Sequence, residues 1–520
     1  MRIRRSKLIA FIALLAFLLI LTFAAAVRVY NIALNPPGFF ADEAAIGYNA
    51  YTLAASGADE YGVRFPFFFR SFGDYRNPLP VYLNIPAVAL LGLNEFAVRL
   101  TAALAGILTV CFIFFIAREG SPWPESSWKN GFALASALFL AITPWHIHFS
   151  RFGSEYIYFP FLLSAGWMVF LLSQKILWLL PVSFLVLGAT LYTYYPTWLV
   201  TPIFVVLILI LYRKFLVRHW RKSTLSLLLF LLCTVPLVIG IRSGQALTRW
   251  NNVTVGKHAP ASVLPALAKN YVSHFSPSFL FSLGDIDYPG HFIRRFSNRG
   301  TGELPVIFAP LILLGIVAAL SKRTPFTLSL LALLVLYPLG STIADTDGGA
   351  PLAFRSVIGV LPFPLFASYG AVALVRALRR KIFRLLVVGI VAVFAVFQTH
   401  AYLAEYHTEY PLYSSDFWGW QFGPRDIMAY FLAHKDSYDE MYIMGNFNAP
   451  EIFVKFYDPD GLCRQKCRIG DTKRLNPAHR QLFAVGTDRL SEIPEQLFLV
   501  KKTVFYPNGS PAFLVGSFHE

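Results

Sequence analysis

Long apolar runs alternate with short polar joints through the first four hundred residues of the chain. Runs near the length that crosses an oily core, roughly 17 to 25 residues for about 30 Å, occur first at 8–27 and 97–117. Further spans are expected near 131–145, 156–173, 177–192, 197–212, 224–241, 304–320, 325–343, 355–375 and 383–399. Together they predict about eleven transmembrane helices, because no soluble domain would hide so many such windows. Val81 to Leu91 is too short to be counted and reads as an interfacial or re-entrant helix. Beyond residue 399 the pattern changes. Short strand-like runs (EMYIMG, QLFAVG, EQLFLVKK) and a helix-like stretch (GPRDIMAYFLAHK) lie between turn signals, which predicts a small α/β soluble domain. The expected division is a membrane domain over 1–399 and an extracytoplasmic domain over 400–520.

Composition agrees, with 56% hydrophobic residues over 520 positions and a mean hydropathy of +0.55. A formal net charge of +16 would suit a nucleic-acid binder, but the basic residues sit in short joints between apolar segments. These are RIRRSK at 2–7, Lys175, RKFLVRHWRK at 213–222, Lys322 with Arg323, and RALRRKIFR at 376–384. By the positive-inside rule they mark one set of loops as cytoplasmic, and nucleic acid is not an expected partner. The run from Leu8 to Val27 exceeds a signal-peptide core and precedes further spans, so it reads as an uncleaved first helix. Segments 28–96 and 242–302, the turns near 146–156 and 192–197, the loop 341–354 and the tail then face outward. Cys463 and Cys467 lie in that outer tail, where a local disulfide is favoured over free thiols. No GxxxxGK[ST] segment or GxGxxG after a strand occurs, so a cytoplasmic nucleotide engine has no support.

The densest polar information lies in residues 35–82. Asp42 and Glu43 follow Asn-Pro-Pro-Gly-Phe-Phe just after the first helix, and Asp59, Glu60, Asp74 and Arg76 come next. Charges at such a boundary are costly unless paired or used. For Asp59 and Glu60, flanked by Gly57 and Gly62, pairing with a local arginine that fixes the loop is the favoured reading; for Asp42 and Glu43 a reaction centre is. Arg355 opens a late span after an outward loop and is placed evenly between donor binding and interfacial anchoring. Arg151 and Glu155 are expected to pair as i and i+4 on a helix. His146 and His148 lack the further ligands a zinc site needs. The string LYTYYPTW at 191–198 reads first as an aromatic belt.

The Asp42-Glu43 pair after the first span, the segment Tyr75 to Leu79 and the start of the next span at Arg99 to Gly106 resemble the polyprenyl-phosphate-sugar-dependent glycosyltransferases. That superfamily includes protein O-mannosyltransferases and the lipid A aminoarabinose transferases. The resemblance is specific over residues 1 to about 120 and rests on topology elsewhere. It implies an all-α polytopic GT-C fold in a bacterial or archaeal plasma membrane, with an outward active site. There a sugar would pass with inversion from a polyprenyl-phosphate carrier to a glycan, lipid or protein acceptor. Asp42 matches the family's catalytic base, Glu43 its neighbour near the donor phosphate or a metal, and Arg99 an arginine of the donor. Arg76 sits where the lipid A relatives carry a lysine beside a proline pair, with Asn77 replacing the first proline here. Arg355 stands in the place of a late arginine. Asp74, Asp59 and Glu60 are reserve acids. No cofactor is fixed; a divalent Mg or Mn ion held by Asp42 and Glu43 is the candidate. Carboxylate and guanidinium suit the chemistry, the first taking a proton from a hydroxyl and the second stabilising a departing phosphate. A glycan-lipid flippase or polymerase is the alternative.

Overall fold

The computed structural model describes residues 2–245, 260–343, 347–444, 447–463, 465–493 and 498–518. The expected outward loop 242–302 is therefore described only in part. Among the described residues six helices are long and apolar enough to cross a membrane: Ala10–Val29, Glu95–Gly120, Trp220–Arg242, Pro325–Thr342, Val357–Ala377 and Lys381–Thr408. Five other segments expected to span form shorter helices: Ser126–Ala141, Tyr158–Ser173, Leu179–Ala189, Thr197–Leu211 and Phe308–Lys322, of 11 to 16 residues. The window 177–192 overstates its helix because the apolar pattern runs on into a 3₁₀ segment at Thr190–Tyr192, whereas Ser126–Ala141 begins ahead of its window at 131–145. The protein is thus a multi-pass membrane protein, with six membrane-length helices and several shorter ones among the described residues.

Helices α1 (Arg2–Val29), α2 (Ala41–Ser56), α3 (Leu79–Leu91), α4 (Glu95–Gly120) and α5 (Ser126–Ala141) open the chain. The main core buries Trp145, Trp167, Phe204, Phe308 and Tyr337 among the bundle helices. Between α2 and α3 a small hairpin pairs β1 (Phe69–Ser71) with β2 (Asp74–Arg76), turning at Phe72 and Gly73, both with positive φ. The expected boundary at 399/400 falls inside the helix Lys381–Thr408, which continues beyond its apolar stretch.

The C-terminal region carries a mixed sheet of β3 (Glu440–Met444), β4 (Cys467–Ile469), β5 (Gln481–Gly486), β6 (Phe498–Phe505) and β7 (Pro511–Phe518), in the order β4-β3-β5-β7-β6. β3 runs parallel to β4 and β5, whereas β7 is antiparallel to β5 and β6. Cys463 and Cys467 are joined as a disulfide with Cα atoms 5.3 Å apart. This region does not stand apart. A second core packs Phe39, Ala44, Ile46 and Tyr48 of the first outer segment against Ile427, Phe431, Phe456 and Leu482. At Gly47 an added Cβ would lie 2.6 Å from Val98 and 2.8 Å from Phe456, so only glycine lets α2, α4 and the helix Glu451–Tyr457 approach this closely.

Candidate active site at the start of the second helix

Helix α2 begins where its sequence tells it to. The Glu43 carboxylate accepts from the Phe40 backbone N–H at 3.1 Å, the reach-back half of a capping box, and Asp42 and Glu43 both lie in the first turn, where the helix dipole favours negative charge. Adjacent positions on a helix diverge, and here they meet different partners. Glu43 points inward to Arg99 on α4, with Oε1 2.9 Å from Nε and Oε2 3.0 Å from Nη2. Oε1 also accepts from the Gly153 backbone N–H at 2.7 Å. A Cβ at Gly153 would fall 2.5 Å from Val98, so the close approach that brings this amide to Glu43 requires glycine.

Arg99 has no exposure and no spare donor. Beyond Glu43 it donates to the carbonyls of Ile32 and Pro36, each at 3.0 Å, and to that of Gly38. A guanidinium offers five N–H groups, and this set occupies them. The sequence expectation that Arg99 holds donor phosphate is therefore not what the geometry provides. It ties the Asn-Pro-Pro-Gly turn to α2 and α4.

Asp42 faces the other way and retains 8% exposure. The hairpin β1–β2 brings Arg76 to it, with Nη2 3.0 Å from Oδ1, while Nη1 of the same guanidinium lies 3.0 Å from Glu155 Oε1. Burial works against the Arg76 charge, but Asp42 and Glu155 outweigh it and raise its hold on the proton. A cavity of about 20 Å³ opens among Asp42, Asn49, Ser71, Arg76 and Glu155, room for one water-sized group such as a hydroxyl.

Glu155 is reached because residues 150–157 leave the helical path between Pro144–Phe149 and Tyr158–Ser173. The expected i, i+4 pairing with Arg151 therefore has no helix to act on. Arg151 instead donates to the carbonyls of Val27, Tyr30 and Asn35. The break was legible in Gly153 and Ser154. The reserve acids have partners of their own. Asp59 accepts the backbone amides of Tyr61 and Val63, both at 2.9 Å, Glu60 pairs with Lys455 at 2.6 Å, and Asp74 accepts the Tyr75 amide within the hairpin.

Two more arginines border the site. Arg355 pairs with Asp347 at 3.0 Å and lies over the Phe354 ring. Arg295, which sequence reasoning did not single out, stacks 3.9 Å over Phe40 and 4.9 Å over Phe296. Burial lowers its proton affinity, opposed by the nearby Tyr156, Asp42, Asp347 and Tyr410. Phe296 and Phe354 stack at 4.3 Å, and Tyr156 touches Phe354 and Tyr194. The string 191–198 thus reaches the site through Tyr194, and through Tyr195, whose hydroxyl donates to the Tyr75 carbonyl.

The loop bearing Asp347 and Arg355 is latched by His291. Its Nδ1 lies 2.8 Å from the Asp285 carbonyl oxygen and 3.2 Å from Asp285 Oδ1, and its Nε2 lies 3.1 Å from the Gly349 carbonyl. Both nitrogens face acceptors, and only the imidazolium donates from both. Burial disfavours that charge, but Asp285 and the carbonyls prevail and raise the His291 pKa above its ordinary 6.5. A raised folded-state pKa gives stability that is complete below the unfolded value and is lost as pH rises through the folded one. Detergent melts across that range are expected to show the wild type losing stability with rising pH and His291→Gln showing no such step; parallel curves would disprove the latch.

Among the described residues no three His, Cys, Asp or Glu side chains converge on a metal position. The expected Asp42–Glu43 ion site does not fit, since both Glu43 oxygens are occupied by Arg99 and backbone amides. No step is derived through a metal.

Residues 76–239 match the family described as dolichyl-phosphate-mannose-protein mannosyltransferase, a stretch holding Arg76, Arg99 and Glu155. No curated protein matches the chain by sequence. Among solved structures, ArnT from Cupriavidus metallidurans in the apo state is 14% identical with a TM-score of 0.55, covering 99% of this chain and 98% of that one. ArnT bound to undecaprenyl phosphate gives 15% and 0.54, over 98% and 97%. The Archaeoglobus fulgidus oligosaccharyltransferase in its apo form gives 13% and 0.53, over 89% of this chain and 65% of that one. At such identities the likeness is one of fold. The chain therefore shares the fold of ArnT and of the archaeal oligosaccharyltransferase.

Proposed function

We propose that the protein is an inverting glycosyltransferase of the plasma membrane, moving a monosaccharide from a polyprenyl-phosphate donor to an acceptor hydroxyl outside the cytoplasm. The observation that carries this reading is the unequal treatment of neighbouring acids: Glu43 is saturated by Arg99 and buried amides, whereas Asp42 lines a hydroxyl-sized cavity and is aimed by Arg76. Asp42 takes the proton of the acceptor hydroxyl as its oxygen attacks the anomeric carbon. The carbon–oxygen bond to phosphate breaks on the opposite face, and the electron pair leaves with the polyprenyl phosphate. Arg295 and Arg355 stabilise that leaving charge, the phosphate displacing the half-buried Asp347 from Arg355. Arg76 holds Asp42 and Glu155 in register and faces the same charge. The undecaprenyl phosphate bound by ArnT supports a lipid-phosphate donor.

Purified protein incubated with radiolabelled polyprenyl-phosphate sugars is expected to release polyprenyl phosphate and label an acceptor. Transbilayer movement of the donor with no bond cleavage would overturn the reading in favour of a flippase.

A further inference from the structure

A groove of about 390 Å³, sharing no lining residue with the Asp42 cavity, lies between α5 and the helices Pro362–Ala377 and Lys381–Thr408. Its walls are apolar, including Trp128, Phe139, Val372, Val388 and Ala392. Gly131 lines it too, and a Cβ there would meet nothing within 4 Å, so the space beyond it is open. The groove runs between the last two turns of Pro362–Ala377 and the second to fourth turns of Lys381–Thr408, so that its end at Val375 and Val387 lies towards the joint 378–380 that links the two helices. A volume of this size suits a ligand of moderate length.

The joint at its mouth is strongly basic. Arg379, Arg380 and Lys381 are exposed. Arg384 donates to the Leu378 carbonyl at 2.8 Å and lays its guanidinium 5.9 Å from the Trp128 ring, fixing a positive charge over the groove's aromatic end. The acid of that neighbourhood, Glu125, is paired with Arg376 at 3.3 Å. The charge left at the mouth is therefore positive, and it stands where two membrane helices emerge at a bilayer surface. An occupant must be apolar along its body and anionic at one end.

We propose that the groove holds one acyl chain of an anionic phospholipid, with its phosphate among Arg380, Lys381 and Arg384. Basic pockets between membrane helices bind such headgroups, and each nearby Lys or Arg adds to the attraction. A free phosphate would leave the apolar walls bare, and a zwitterionic lipid would leave the basic mouth uncompensated. The assignment is independent of sugar transfer.

The test is native mass spectrometry of the full-length protein, stripped of lipid and then offered equal phosphatidylglycerol and phosphatidylcholine. Wild type is expected to retain one phosphatidylglycerol with roughly tenfold preference. Replacing Arg380, Lys381 and Arg384 together by Gln should abolish the preference while leaving the melting temperature close to wild type. Gly131→Leu should reduce retention of both lipids by filling the groove; if that variant fails to fold, the charge variant decides. Equal binding of the two lipids by wild type would overturn the proposal, as would preference surviving in the charge variant. So would a dimer that persists without lipid and blocks the groove.

Discussion

Asp42→Asn is expected to lower sugar transfer by roughly 100-fold or more, the loss of an essential proton acceptor, while the protein folds and binds donor as before. Asparagine keeps the shape, and its carbonyl oxygen can still accept from Arg76. Arg76 also retains Glu155, at 3.0 and 3.2 Å, so its charge is not left unpaired when Asp42 becomes neutral. What disappears is the carboxylate beside the hydroxyl-sized cavity. Turnover per folded molecule, donor binding and thermal stability in detergent should be compared with wild type. If Asp42 only neutralised Arg76, activity would fall in proportion to the folded fraction, and near wild-type turnover per folded molecule would remove the catalytic assignment.

Arg99→Gln should produce the opposite phenotype, a collapse of the fold with no selective loss of donor affinity. Removing one partner of a buried ion pair costs about 3 to 5 kcal/mol, because the other charge is left without compensation. Glu43 and Arg99 are both fully buried, and the carbonyls of Ile32, Pro36 and Gly38 would lose their donor in the same substitution. Adding Glu43→Gln should restore part of the loss by removing the stranded charge, though not the carbonyl bonds. Yield of monodisperse protein and melting temperature are the readouts. A variant that melts like wild type yet binds donor weakly would return Arg99 to the phosphate.

The contrast between these variants shows what the sequence could and could not convey. The long helices were legible because about twenty apolar residues in a row have few other uses. The position of Asp42 and Glu43 after the first span was legible too. That the two would take different parts was read from their adjacency and from the resemblance, but the partners of Glu43 were not legible, because Arg99 and Gly153 lie far along the chain. Arg295 was missed for the same reason: one arginine in an aromatic loop has no spacing that marks it until Phe40 and Phe296 are brought beneath it. Strand β7 was missed despite an available signal, since Asn508-Gly509 between two β-rich runs is a hairpin turn. Short helices such as Leu179–Ala189 were overextended because apolar turns look like helix when only polarity is read.

The way the C-terminal region clasps α2 bears on the order in which the protein assembles. Glu60 receives Lys455, Glu95 receives Arg425 and the Tyr457 hydroxyl, and Phe456 closes over Gly47 and Phe39. Helix α2 is among the first segments to leave the ribosome, yet the side chains that brace its outer face are made some four hundred residues later. A nascent chain inserted through its sixth membrane-length helix would carry Asp42 and still present Glu60 and Glu95 without their cations. Synthesis thus imposes an order on assembly, in which the last-made sheet and helix dock onto the first-made turn.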